Sequence, residues 1–125
     1  MCGSGIVDHM HYRDAIIWQK AFDLAETCYR LAASLPPFER YGLRAQLTRA
    51  AVSVVSNIAE GWTRESRRDK ANFLAIAQGS LAELHTQLLL AIRLGWLHEA
   101  STPSALGLVD ETSRLLTTYR RRLRD

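Results

Sequence analysis

Four basic residues lie close together near the middle of the chain, and such a cluster is suited to binding phosphate. They are Arg64, Arg67, Arg68 and Lys70. Within the same stretch, Ser66 with Asp69 three residues later resembles the capping box that begins a helix. The cluster would therefore surround a helix N-terminus, whose unpaired N–H groups and positive dipole end also favour anions. The pattern predicts a phosphate contact, with a solvated helix start as the alternative.

A second basic cluster lies at the end of the chain and consists of Arg120, Arg121, Arg122 and Arg124. Cations stabilise a helix C-terminus, so part of this cluster is expected to act as a cap. Four arginines exceed what a helix cap needs, so this cluster is a second candidate for binding an anion. Fourteen of the sixteen basic residues are arginine, which suits bidentate contacts to phosphate or carboxylate. A genome with biased codon use would give the same excess.

Trp62 immediately precedes the first basic cluster. Its ring could stack on a base, or it could close the end of a helical assembly. Of these two roles, we expect the second.

Polar side chains also repeat at helical spacing, between apolar positions, in two consecutive segments. The later segment supplies Ser80, Glu83 and Gln87, and the earlier one supplies Ser53, Ser56, Asn57 and Glu60. A helix with a solvated outer face has no reason to repeat polar residues beside its apolar stripe. Since buried polar groups must be paired and a paired network can fix register, we expect these residues to meet across a helical hairpin or a subunit interface. The alternative is that Glu60 and Glu83 are simply solvated.

Metal and cofactor chemistry is not predicted. A di-metal site in a four-helix bundle requires two Glu-x-x-His pairs and two further carboxylates, but Thr63, Thr86 and Arg114 stand three residues after Glu60, Glu83 and Glu111. The chain also lacks cysteine pairs at zinc spacing and a glycine-rich phosphate loop. Glu60 and Glu83 have no evident nucleophile or basic partner, so we expect no catalysis there.

One short pattern has a catalytic counterpart. Arg93 and His98 are separated by four residues, which is similar to the Arg-to-His motif of an all-helical ribonuclease family acting in toxin systems. That motif commonly has a polar residue after the arginine, where this chain has Leu94, and Gly95 suggests that the helix ends before His98. We interpret the match as chance and keep a ribonuclease using Arg93 and His98 as the enzymatic alternative.

Hydrophobic residues at steps of three and four predict four helices that position these groups. The expected bounds are about 14–34 with Asp14 as N-cap, a start between 40 and 43 and an end at 61 with Gly61 as a left-handed C-cap, 66–95, and 103 or 104 onwards. Residues 61–65 leave room only for a short turn, so the second and third helices should form an antiparallel hairpin. The sequence therefore predicts an all-α, antiparallel up-and-down four-helix bundle.

Several apolar side chains have expected positions in this bundle. Trp18 is expected to anchor the core, and Cys28 to behave as a small buried hydrophobic residue. Phe38 and Tyr41 are expected to fold back over the bundle end. The second helix is rich in alanine and serine, which favours close packing with a neighbour.

Length and composition set further bounds. A chain of 125 residues with 47% hydrophobic residues and a net charge of +3 fits one mildly basic domain. We interpret residues 1–10 as a leader from expression and residues 11–125 as the domain. No apolar run reaches membrane-spanning length and no signal peptide is evident, so we expect a protein of the bacterial cytoplasm without membrane contact.

Residues 46–61 and 66–88 together resemble the 23S ribosomal RNA intervening-sequence protein family. Residues 18–21 and 39–43 fit the same pattern, although Val55 stands where the family often has proline and predicts a straighter helix here. The resemblance implies a small bacterial four-helix bundle. The family includes the accessory variability determinant of diversity-generating retroelements, a basic, ring-like homo-oligomer, reported as a pentamer, that binds nucleic acid and a reverse transcriptase.

Three functions follow as hypotheses. The first is a non-catalytic oligomeric bundle that binds RNA or DNA phosphates through its arginine clusters as an accessory factor. By resemblance, its second helix and the polar stripe of its third would lie at the contacts between subunits. The second is a structural module for a protein partner, without nucleic-acid binding. The third is the ribonuclease.

Overall fold

Four α-helices account for most of the computed structural model, which describes residues 10–124. They are α1 (Ile16–Ala32), α2 (Leu43–Thr63), α3 (Arg67–Arg93) and α4 (Pro103–Arg124). Short 3₁₀ turns at Tyr12–Asp14, Pro37–Glu39 and Glu99–Ser101 precede α1, α2 and α4, and no strand occurs within these residues. Each helix packs against the one before and after it in sequence, and α4 returns to pack on α1. This confirms the predicted all-α four-helix bundle. The expected leader falls, apart from Met10, outside the described residues.

The core is built from one apolar stripe of each helix. In α3 this stripe consists of Ala77, Leu81, Leu84, Leu88 and Ala91, at steps of four and three, and all five are buried. In α2 the buried stripe includes Ala51 and Ile58, whereas Asn57 is only partly buried. Burying each leucine or isoleucine stabilises the fold by about 1.5–3 kcal/mol, so the bundle rests mainly on these contacts.

Gly61 does not end α2, and its prediction as a left-handed C-cap was wrong. The helix continues to Thr63, and Gly95 is the one residue with positive φ in the described part of the chain. Gly61 is instead buried where α2 meets α3. A Cβ atom there would lie 3.1 Å from Phe73 Cβ and 3.4 Å from the Lys70 carbonyl oxygen. The glycine thus lets the two backbones approach closely just before the hairpin turns.

Both ends of α3 follow the sequence prediction. The Ser66 hydroxyl accepts a hydrogen bond of 3.0 Å from the Asp69 N–H and caps the N-terminus. At the other end Gly95 has φ of 78°. Trp96 N–H donates to the Ala91 carbonyl at 2.9 Å, and Gly95 N–H donates to the Ile92 carbonyl at 3.0 Å. This is the Schellman arrangement, which requires the left-handed backbone that glycine adopts without strain.

The start of α1 differs from the prediction. Asp14 belongs to the preceding 3₁₀ turn, and Ala15 is the N-cap without a side-chain hydrogen bond. The 3₁₀ turn shifts the start because the Ala15 N–H is already bonded to the Tyr12 carbonyl at 3.0 Å. The helix also ends two residues earlier than expected, at Ala32.

Aromatic residues around α1 and the α1–α2 connection are more exposed than expected. Trp18 is only partly buried at the core edge, and its ring stacks on Phe22 at 4.8 Å between centroids. Phe38 meets the Trp96 ring edge-on at 5.7 Å but remains 75% exposed. The expectation that Tyr41 folds over the bundle end was wrong, since it is 86% exposed beneath the Arg40 guanidinium.

Cys28 lies fully buried in α1, among the apolar residues of the core. Burial disfavours the thiolate and raises the pKa of the Cys28 thiol to about 12. The residue therefore acts as a small hydrophobic side chain, as predicted.

Candidate nucleic-acid interface

The two basic clusters of the sequence meet at one end of the bundle. Arg67 and Lys70, in the first turn of α3, and Arg122, in the last turn of α4, line the same cavity of about 180 Å³. They meet because α3 and α4 are antiparallel neighbours, which places the start of one helix beside the end of the other. The remaining lining residues are Gly61, Trp62, Leu74, Tyr119 and Leu123.

The interior of this cavity is apolar and aromatic. Leu74 is buried and Leu123 is half-buried. The Trp62 and Tyr119 rings pack edge-to-face with centroids 5.3 Å apart. The Trp62 indole N–H donates to the Met10 carbonyl at 3.1 Å, so this ring closes the end of the bundle against the start of the described chain. Trp62 therefore covers the core and lines the cavity as well.

Two of the three cations make contacts with neutral groups, which leave their charge unneutralised. Lys70 Nζ donates to the Trp62 carbonyl at 3.1 Å, which satisfies an otherwise unpaired carbonyl at the end of α2. The Arg122 guanidinium lies 5.5 Å from the centre of the Tyr119 ring. No carboxylate lines the cavity, and within residues 10–124 none of the three cations forms an ion pair. The site therefore favours a negatively charged ligand.

The other predicted basic residues divide into two groups. Arg64 pairs with Glu60 at 2.7 Å and covers the Phe73 ring at 4.6 Å, while Arg120 donates to Gln78 Oε1 at 2.6 Å. These two arginines hold the helices together. The second group is exposed at the same end of the bundle and has no ion pair among the described residues: Arg68, Arg121 and Arg124.

Part of the predicted polar stripe joins α2 to α3. The hydroxyls of Ser53 and Ser80 are 2.8 Å apart, and Asn57 Nδ2 donates to the Ser53 carbonyl at 2.8 Å and to its hydroxyl at 3.1 Å. The other four residues are not connected to this group. Ser56 and Glu83 are exposed, Glu60 pairs with Arg64, and Gln87 is buried with no donor to its Oε1 within the described chain. Whether the stripe meets a second subunit stays a prediction.

The alternative ribonuclease residues lie at the opposite end of the bundle. Arg93 is the last residue of α3, and His98 follows the Gly95 turn and precedes the 3₁₀ turn Glu99–Ser101. Both are exposed. The end of the helix before His98 confirms the expectation from Gly95.

Residues 10–124 contain no group of three or more histidine, cysteine, aspartate or glutamate side chains that could hold a metal ion. None of their helices combines the length and the apolar character that crossing a membrane requires.

The chain matches the model of a known protein family. The family model of the 23S rRNA-intervening sequence protein matches residues 13–118, which is most of the chain and all but the last turns of α4. The chain belongs to this family. No curated protein matches it by sequence. In this member of the family, Arg67 and Lys70 lie inside the matched region, whereas Arg122 lies beyond it.

Sequence reasoning missed the apolar part of the site. Tyr119 and Leu123 lie on the apolar side of α4 and pack against the core, but both are only half-buried. Helical spacing gives the direction of these side chains but not how deeply they are buried.

Proposed function

We propose that this chain binds RNA or DNA, without catalysing a reaction, through the basic end of its bundle. The basic end comprises Arg67, Lys70 and Arg122 at the cavity, with Arg68, Arg121 and Arg124 around them. The convergence of Arg67 and Lys70 with Arg122 supports the proposal most strongly, because segments far apart in sequence bring three cations to a place without a carboxylate. Phosphate contacts supply most of non-specific nucleic-acid affinity.

The distribution of charge favours a polymer of phosphates over one small anion. A net charge of +3 for the whole chain is modest, but six of its basic side chains lie within the start of α3 and the end of α4. Two or three cations suffice for a single phosphate. Six spread over the end of a bundle can contact several phosphates along a strand.

Neutralising the cavity cations tests this proposal. A fluorescent 12-base-pair RNA duplex is titrated at about 0.15 M salt, where charge is moderately screened, and binding is followed by anisotropy. The triple variant should bind the duplex at least ten-fold more weakly than the wild type; its changes are Arg67→Gln, Lys70→Gln and Arg122→Gln. The matched control changes three exposed arginines at the opposite end, Arg30, Arg40 and Arg93, to glutamine and should have a much smaller effect.

The opposite result would favour the second hypothesis. If the wild-type chain shows no affinity for the duplex at 0.15 M salt, the basic end only solubilises the bundle and the chain is a module for a protein partner. Cleavage of the duplex that is lost in His98→Ala would instead support the ribonuclease. A protein partner such as a reverse transcriptase, which the family resemblance implies, stays a prediction.

We also propose that the chain forms a homo-oligomer through one flank of α3. Ile76, Leu90 and Leu94 are 45–49% exposed and lie on the stripe that carries Ser80, Glu83 and Gln87. At 100° per residue these positions lie together on the flank facing α2. Exposed apolar residues on one line, beside a buried Gln87 oxygen without a donor in residues 10–124, favour a contact with a second copy. The pentamer remains the state that the family resemblance implies.

Light scattering coupled to size exclusion tests the association. Leu94→Glu should shift the chain towards monomer. Leu89→Glu is the matched control, because Leu89 is equally exposed at 47% but lies on the other flank of α3, with Gln78. If both variants and the wild type elute as monomers, self-association through this flank is refuted.

A further inference from the structure

The cavity at the basic end is smaller than the pockets that enclose whole drug-sized ligands. Pockets that bury drug-sized ligands measure about 300–1,000 Å³, whereas this cavity measures about 180 Å³. A ligand there must leave part of itself outside. The part outside would lie beside Arg67 and Arg122, which are exposed.

The chemistry of the cavity changes from its interior to its rim. Inside, Leu74, Leu123 and the rings of Trp62 and Tyr119 offer apolar contact. Arg67 and Arg122 are exposed at the rim, and Lys70 is half-buried. A bare phosphate would leave the apolar interior unfilled, and an uncharged apolar group would leave the cations without a partner. A planar ring that carries a phosphate satisfies both parts.

We propose that the cavity binds one unpaired nucleobase of a bound RNA or DNA strand, with the adjoining phosphate on Arg67, Lys70 and Arg122. This inference rests on the proposed nucleic-acid binding and specifies its preferred substrate: a strand end, overhang or bulge instead of a continuous duplex. A duplex keeps its bases stacked inside, so only its phosphates can reach the basic end. An unpaired base can enter and contact the aromatic rings, which is typical of single-strand recognition.

A single overhanging nucleotide isolates the contribution of the base. The probe is a 12-base-pair RNA duplex carrying one unpaired 2-aminopurine nucleotide at a 3′ end. The control duplex carries an abasic nucleotide there, with the same phosphates and the same net charge. Stacking of a base on an aromatic side chain typically changes affinity by roughly five- to a hundred-fold, so we expect the base-containing overhang to bind about ten-fold more tightly. The 2-aminopurine fluorescence should also change on binding.

Filling the cavity should remove this preference and leave the charges in place. Leu123 is half-buried in the last turn of α4 and lines the cavity, so Leu123→Trp inserts a larger side chain near the surface. This variant should bind both duplexes with the affinity that the wild type shows for the abasic one. Tyr119→Leu is the second variant, because it retains an apolar side chain without the ring. Thermal melting checks that each variant is folded.

The outcomes separate this inference from the proposed function. Equal affinity of the wild type for both duplexes, with a loss in the Arg67, Lys70 and Arg122 triple variant, would overturn the base pocket and leave nucleic-acid binding intact. No binding of either duplex would overturn both. If free 2-aminopurine ribonucleoside monophosphate binds as tightly as the overhang, the claim that the base must belong to a strand is refuted. The cavity would then be assigned to a free nucleotide.

Discussion

Replacing Gly61 with alanine tests how closely α2 and α3 approach beside the cavity. Two effects oppose each other. Alanine in a helix interior is favoured over glycine by about 1 kcal/mol. Against this, the new Cβ would lie 3.1 Å from Phe73 Cβ and 3.4 Å from the Lys70 carbonyl oxygen. Both of these atoms are fixed to the α3 backbone, so the helices themselves must separate by a few tenths of an ångström.

Overpacking of this kind costs about 1–3 kcal/mol, so the net effect of Gly61→Ala ranges from about zero to a loss of 2 kcal/mol. Gly79→Ala is the matched control, because Gly79 is also in a helix interior but has no atom within 4 Å of its added Cβ. It should stabilise the fold by about 1 kcal/mol. The two variants should therefore differ by about 1–3 kcal/mol in the free energy of unfolding.

Urea denaturation followed by circular dichroism measures this difference, and thermal melting should show Gly79→Ala as the more stable variant. A Gly61→Ala variant that gains as much stability as Gly79→Ala would refute the close approach. The hairpin would then be wider at its turn than the structure shows, and the position of Lys70 beside Trp62 would have to be revised.

Two further predictions concern single side chains. Ser66→Ala removes the cap of α3 and should lower the free energy of unfolding by about 1 kcal/mol in urea denaturation; an unchanged value would show that the hydroxyl bond to Asp69 N–H contributes nothing. In a Cys2→Ser background, Cys28 should resist thiol reagents at pH 8 until the chain unfolds. An exposed thiol has a pKa near 9.0, and burial raises the pKa of Cys28 to about 12. As the pH rises, the Cys28 thiol of the unfolded chain therefore loses its proton before that of the folded chain. The free energy of unfolding should consequently fall between these two pH values. Cys28→Ala should reduce this fall, and an equal fall in both proteins would contradict it.

The fold was predictable because its signals are local and repeated. The α3 stripe from Ala77 to Ala91 specifies a buried face at every turn, and Ser66 and Gly95 mark the ends of the helix by their backbone chemistry. The prediction of Gly61 as a C-cap was wrong because glycine is found both at helix ends and at close contacts between helices. Only the position of Phe73 on the neighbouring helix distinguishes the two.

The candidate site was predictable in its charges but not in its shape. Both arginine clusters were evident from the sequence, and their meeting follows once α3 and α4 are antiparallel neighbours. Which cations remain unpaired depends on side-chain geometry: Arg64 reaches Glu60 and Arg120 reaches Gln78, while Arg67 and Arg122 stay at the cavity. The cavity itself arises from how Tyr119 and Trp62 pack, which helical spacing does not specify.

The salt dependence of duplex binding tests the central claim most directly. Each phosphate contact contributes about 0.9 to the slope of log affinity against log salt for B-form DNA, and an RNA duplex of similar charge density should behave alike. Removing the charges of Arg67, Lys70 and Arg122 together should make the salt dependence shallower, reducing the magnitude of the slope by about 2–3. Removing the charges of Arg30, Arg40 and Arg93 should leave the slope nearly unchanged. Equal slopes for the wild type and both triple variants would contradict nucleic-acid binding at the basic end.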